Sequence, residues 1–173
     1  MHPQQNTSAG LSGPARFGHA RRLIDIWALA GGLVLLAVVA MQVASVIGGV
    51  VWRPFPGDYE MTEVGVVVAV FSFLPHCQLH RANVSADIFT MRAPPFLIGI
   101  FGLLASAVAL GFALLLGWRM YYGMLDQKAY NYETTILQFP TWIGFLPILI
   151  SLALLALASL ITLAEDFGTL KKA

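Results

Sequence analysis

Charge is what this sequence has least of. Only 11% of its 173 residues are Asp, Glu, Lys or Arg, against roughly 25% in an ordinary soluble domain. Apolar residues make up 58%, and the mean hydropathy is +0.75. A water-soluble fold of this size cannot hide that much apolar surface, so a soluble enzyme is excluded. The ten Lys and Arg are scattered and the net charge is +1, which leaves no basic field for nucleic acid. One cysteine, Cys77, allows no internal disulfide and no cysteine-only metal site. Apolar and polar residues do not alternate in runs such as Leu33–Met41, which argues against barrel strands. No internal repeat marks inverted halves.

What is present is four apolar stretches of spanning length. A transmembrane helix needs about 20 apolar residues. The runs near 26–52, 61–79, 95–118 and 142–164 meet that need. The expected fold is an all-α integral membrane protein with four transmembrane helices. Pro75, His76 and Gln78 weaken the end of the second run, where a kink or helix end is expected. Residues 1–20 are rich in Pro, Gly, Ser and Gln and read as a disordered arm. Residues 21–166 form the membrane domain, and 167–173 form a tail. Arg16, Arg21 and Arg22 precede an apolar run too long for a cleavable signal core, so the first run reads as an uncleaved anchor.

Lys and Arg set the expected orientation. Arg16, Arg21, Arg22, Arg81, Arg92, Lys171 and Lys172 fall on one side, and Arg53, Arg119 and Lys128 on the other. The excess places both termini in the cytoplasm, with the 53–60 and 119–141 connections outside. Trp52, Trp118 and Trp142 then mark the outer interface and Trp27 the inner one. The 80–94 segment, carrying Ile88, Phe89 and Met91 between Arg81 and Arg92, reads as a short interfacial stretch or as a plain connecting loop.

The spans carry almost nothing that binds an ion or transfers a proton. Transporters and pumps place Asp, Glu, His or Arg in the bilayer for that purpose. Gln42 is the single strongly polar residue deep in the first run, and Glu63 lies at the start of the second. Glu63 is a candidate partner contact, set against the simpler reading of an acid favoured by a helix dipole. His76 and His80 stand four apart on one helix face, but no second helix supplies a partner histidine or a carboxylate pair, so they read as interfacial histidines and no metal is expected. Cys77 reads as a small packing residue. Ala105, Ala109, Ala113 and Gly117 stand four apart on the third run, a small-residue stripe that reads as a helix–helix contact, internal or with a partner. No nucleophile–base pair or cofactor motif is present, so neither an enzyme nor a cofactor is expected.

Three motifs, in order, carry a family resemblance. Pro56-Gly57-Asp58-Tyr59-Glu60 follows the first run. Leu74-Pro75 closes the second, with Val84 and Asp87 after it. Glu133-Thr134, Pro140 and Trp142 lead into the fourth. On four spans, this order resembles the small membrane subunit (DctQ-type) of tripartite ATP-independent periplasmic (TRAP) transporters, over roughly residues 20–165. The loop after the second span departs from the family's usual His-Val-Arg-Val-Asp, with Asn83, Ser85 and Ala86 replacing three of its residues. The resemblance implies a scaffold in the bacterial inner membrane beside a large permease subunit. It implies a periplasmic substrate-binding protein as second partner, and ion-driven, usually sodium-driven, uptake of organic acids or related solutes. Two other readings stand beside it: a small homo-oligomeric exporter or channel using Glu63, and the small subunit of a tripartite tricarboxylate transporter.

Overall fold

The computed structural model describes residues 18–80 and 95–170, and side chains within 18–80 and 101–168. Four helices account for nearly all of it: α1 (Gly18–Val51), α2 (Asp58–Leu79), α3 (Pro95–Ala129) and α4 (Trp142–Leu170). All four are long and apolar enough to cross a membrane. Among the described residues no strand forms beyond an isolated bridge, Glu133 to Pro140.

The apolar runs are shorter than the helices that contain them. α1 has 34 residues and α3 has 35, roughly 50 Å each at 1.5 Å per residue, whereas the hydrocarbon layer is about 30 Å. α1 is helical well before its apolar run, and these first described turns already have a packing partner. Ile24 is fully buried against Leu79 of α2 and Leu154, Ala158 and Ile161 of α4. α3 passes the expected boundary at Trp118 and continues to Ala129 through Arg119–Lys128, a stretch made largely of good helix formers. There Met120 still packs toward α4. Pro75 does not end α2; the helix runs on to Leu79, and the proline ring is buried.

The helices pack as a row: α3 against α4, α4 against α2, and α2 against α1, with only a short contact between α1 and α4. α4 is therefore the most buried helix and α1 the least. Small residues set the α1–α2 approach. A Cβ added at Gly31 would lie 2.5 Å from Ser72 Cβ, and one at Gly65 would overlap the Val38 side chain. In lipid, where no water is expelled between helices, such close backbone approach is a main source of association. Polar pairs bridge the row as well. Trp27 Nε1 donates to Ser151 Oγ at 2.9 Å, Gln78 Nε2 to Thr162 Oγ1 at 3.3 Å, and Ser106 Oγ to Asp166 at 3.1 Å. Among the described residues, no buried side-chain nitrogen or oxygen lacks a hydrogen-bond partner.

Candidate functional site

At the end of the row where α1 hands over to α2, two segments about 76 residues apart in sequence meet. α2 is entered through Gly57, whose φ of 78° is left-handed, a conformation glycine adopts without Cβ strain. Gly57 is pressed against Leu137 of the α3–α4 connection. One turn later, Glu60 accepts the backbone N–H of Ile136 at 2.8 Å on one carboxylate oxygen and that of Leu137 at 3.1 Å on the other. Both amides face outward because the connection curls back on itself. Gln138 N–H donates to Thr134 O at 3.1 Å, Phe139 N–H to Thr134 Oγ1 at 3.0 Å, and Thr134 N–H to Phe139 O at 3.0 Å. Gln138 takes a positive φ of 51° at the tip. Thr141 Oγ1 anchors the exit by donating to Gln127 Oε1 at 2.7 Å. Lys128 Nζ lies 5.4 Å from the ring centre of Trp142, the first residue of α4.

Asp58 ties the same knot to α1. Its carboxylate accepts Ser45 Oγ at 2.6 Å and Tyr59 N–H at 2.7 Å, while Ser45 Oγ accepts Phe55 N–H at 3.1 Å. Gln42, the polar residue deep in the first apolar run, donates to Thr62 Oγ1 and, at 3.4 Å, to Asp58 O. It ties α1 to the first turn of α2. Below the knot, α1, α2 and the 134–139 turn enclose an apolar groove of about 700 Å³, walled by Val34, Val38, Met41, Met61, Val68 and Leu137. The knot's outer rim is aromatic and exposed, with Trp52, Phe55, Tyr59, Tyr130 and Tyr132.

The motif residues Gly57, Asp58, Glu60, Thr134, Pro140 and Trp142 thus converge in one structure, with Glu133 in the bridge to Pro140. Pro56 is exposed beside them, and Leu74 and Pro75 lie on α2 away from the knot. Val84, Asp87, Asn83, Ser85, Ala86 and the rest of the expected interfacial segment lie outside the described residues. Glu63 is exposed on α2. Of the small-residue stripe, Ala113 is buried among Ile148, Leu152 and Leu155 of α4, Ala109 is half-buried and Ala105 is exposed. A Cβ at Gly117 would meet nothing within 4 Å.

At the opposite end, the fold places charges that the sequence left apart. Arg21 of α1 pairs with Glu165 of α4. Asp25 of α1 lies against both histidines of α2, its Oδ1 3.0 Å from His76 Nδ1 and 3.2 Å from His80 Nε2. The two histidines thus face a single carboxylate on another helix, Asp25 of α1. In the sequence Asp25 is a lone acid between Arg22 and an apolar run. Only the antiparallel pairing of α1 with α2 shows what it faces.

A family model described as tripartite ATP-independent periplasmic transporters, DctQ component, matches residues 35–169. That match spans both halves of the knot, all of α2 and all but the last residue of α4. No curated protein and no solved structure matches the chain. With four helices of spanning length, motifs that close one hydrogen-bonded knot, and a family match over most of its residues, the chain belongs to the DctQ family of TRAP transporter components.

Proposed function

We propose that the chain is the small scaffold subunit of a TRAP transporter in the bacterial inner membrane. In this reading it supports a large permease subunit during sodium-gradient-driven uptake of an organic acid or related solute delivered by a periplasmic binding protein. It is not an enzyme, and it does not itself carry the substrate or the ion. The observation behind this is where its charge sits. Across the described helices, charged and histidine side chains are confined to the ends: 18–25 in α1, 58–63 and 76–80 around α2, 119–128 in α3, and 165–166 in α4. The middle turns offer a cation or a carboxylate substrate nothing to bind. The two acids of the knot, Asp58 and Glu60, are engaged in holding the chain's own backbone and Ser45.

Proteoliposomes give the test. Under an inward sodium gradient, the chain alone is expected to take up no solute. Adding the large subunit and the binding protein is expected to start uptake. Sodium-driven uptake by the chain alone overturns the scaffold reading.

Both termini are assigned to the cytoplasm by the seven-to-three division of Lys and Arg, which puts the knot and its aromatic rim on the periplasmic side. A Tyr130→Cys variant in a Cys77→Ser background is then expected to react with an impermeant maleimide on intact spheroplasts. Reaction only after lysis reverses the orientation.

A further inference from the structure

The end of the α1–α2 pair opposite the knot carries three donor groups with the spacing of a metal site. His76 and His80 stand one turn apart on α2, the i, i+4 arrangement that places two imidazoles on one helix face. Their ring centres are 4.3 Å apart. Asp25 crosses from α1 so that a single oxygen, Oδ1, lies 3.0 Å from His76 Nδ1 and 3.2 Å from His80 Nε2. All three donor atoms fall within 4.8 Å of one another. Ligands bound at about 2.0 Å around a tetrahedral ion stand roughly 3.3 Å apart, so the two nitrogen–oxygen separations already match tetrahedral edges. The groups are half-exposed, with side-chain exposures of 42% for His76 and 47% for Asp25 and His80. Water can therefore reach the remaining corner.

The triangle is also held in place. Gly31 packs on Ser72 one to two turns away, and Ile24, next to Asp25, is buried against Leu79, next to His80. Arg21, one turn before Asp25, is engaged with Glu165 on α4. Packing thus fixes the backbone positions that carry the three donors, which leaves only side-chain rotation for an ion to set. Imidazole nitrogen with one carboxylate suits zinc and its first-row neighbours, and does not suit magnesium or calcium, which take oxygen ligands.

We propose that Asp25, His76 and His80 bind a first-row transition-metal dication of the zinc class, with water completing the shell, and that the bound ion fastens α1 to α2. The proposal is independent of what the transporter carries and of how it sits in the membrane. The test uses the untagged full-length chain in detergent micelles, with His2→Gln and His19→Gln introduced to remove the histidines of the N-terminal segment. Calorimetric titration with Zn²⁺ is expected to show one site per chain, and Zn²⁺ is expected to raise the melting temperature while millimolar Mg²⁺ and Ca²⁺ leave it unchanged. Asp25→Asn, His76→Gln and His80→Gln are each expected to weaken Zn²⁺ binding roughly 10- to 100-fold, the range seen even for outer-sphere changes. Cys77→Ser is expected to leave binding unchanged. X-ray absorption at the zinc edge of the otherwise unaltered protein is expected to show two imidazoles bound, a reading that needs none of the ligand variants to fold. Absence of zinc binding, a zinc shell without two imidazoles, or binding that persists unchanged in all three ligand variants overturns the proposal.

Discussion

Gly57→Ala is expected to destabilise the chain by about 3 kcal/mol, because it adds two separate costs at one residue. The first is conformational: Gly57 holds φ at 78°, and a non-glycine residue there costs of order 1–3 kcal/mol. The second is steric. A Cβ at this position would sit 2.6 Å from Leu137 Cγ and 2.9 Å from Leu137 Cδ1, and overpacking of this kind costs typically 1–3 kcal/mol. The clash falls on Cγ and not on a freely rotating end, and a backbone shift of Leu137 would stretch the hydrogen bond from its N–H to Glu60. Thermal melting of the full-length chain in detergent reads the loss. A Gly57→Ala/Leu137→Ala double variant separates the two costs: the steric share should return and the backbone share should remain. If Gly57→Ala melts with the wild-type protein, the left-handed entry into α2 and its seat against Leu137 are both wrong.

That junction also shows where sequence reading stops. The Pro56–Glu60 and Glu133–Trp142 motifs were visible as residue patterns, and so were four spans, since span length and apolar content follow directly from bilayer thickness. That the two motifs touch was not visible. They lie about 76 residues apart, and their contact is made by backbone amides of Ile136 and Leu137, which carry no side-chain signature. Helix ends were equally hidden. Hydropathy reports where a helix is apolar, whereas α3 runs on to Ala129 by packing and propensity beyond the apolar run. Gly31 and Gly65, which set the α1–α2 approach, lie on different helices and form no spacing within one segment. The Asp25 triangle was half visible: His76 and His80 show their i, i+4 spacing, but the carboxylate comes from 51 residues away.

The small-residue stripe of α3 leads to the second large effect. Residues four apart on a helix of 3.6 residues per turn advance about 40° with each step. From Ala105 to Gly117 the stripe therefore turns through about 120°, too far for one straight partner to cover. The face of α3 turned to α4 follows a different series, with steps of four and three: Gly102 and Ser106 at Asp166, then Ala109, Ala113, Leu116 and Met120, then Gly123 at Phe145. That alternation averages 3.5 residues, the repeat that keeps two helices in contact over many turns. The series and the stripe share Ala109 and Ala113; Ala109 is half-buried, and Ala113 is 2% exposed among Ile148, Leu152 and Leu155. Ala113→Leu should force α3 from α4 and cost about 1–3 kcal/mol by overpacking, with lower melting temperature and poorer recovery of the chain by itself. Ala105→Leu and Val108→Leu sit on exposed positions and should leave the melting temperature of the isolated chain unchanged. Co-purification with the large subunit then reads the outer part of the stripe separately. Loss of co-purification by Ala105→Leu, with unchanged melting, assigns that face to the partner; retention assigns it to lipid. Equal melting of wild type, Ala113→Leu and Ala105→Leu would mean that α3 and α4 do not pack through Ala113.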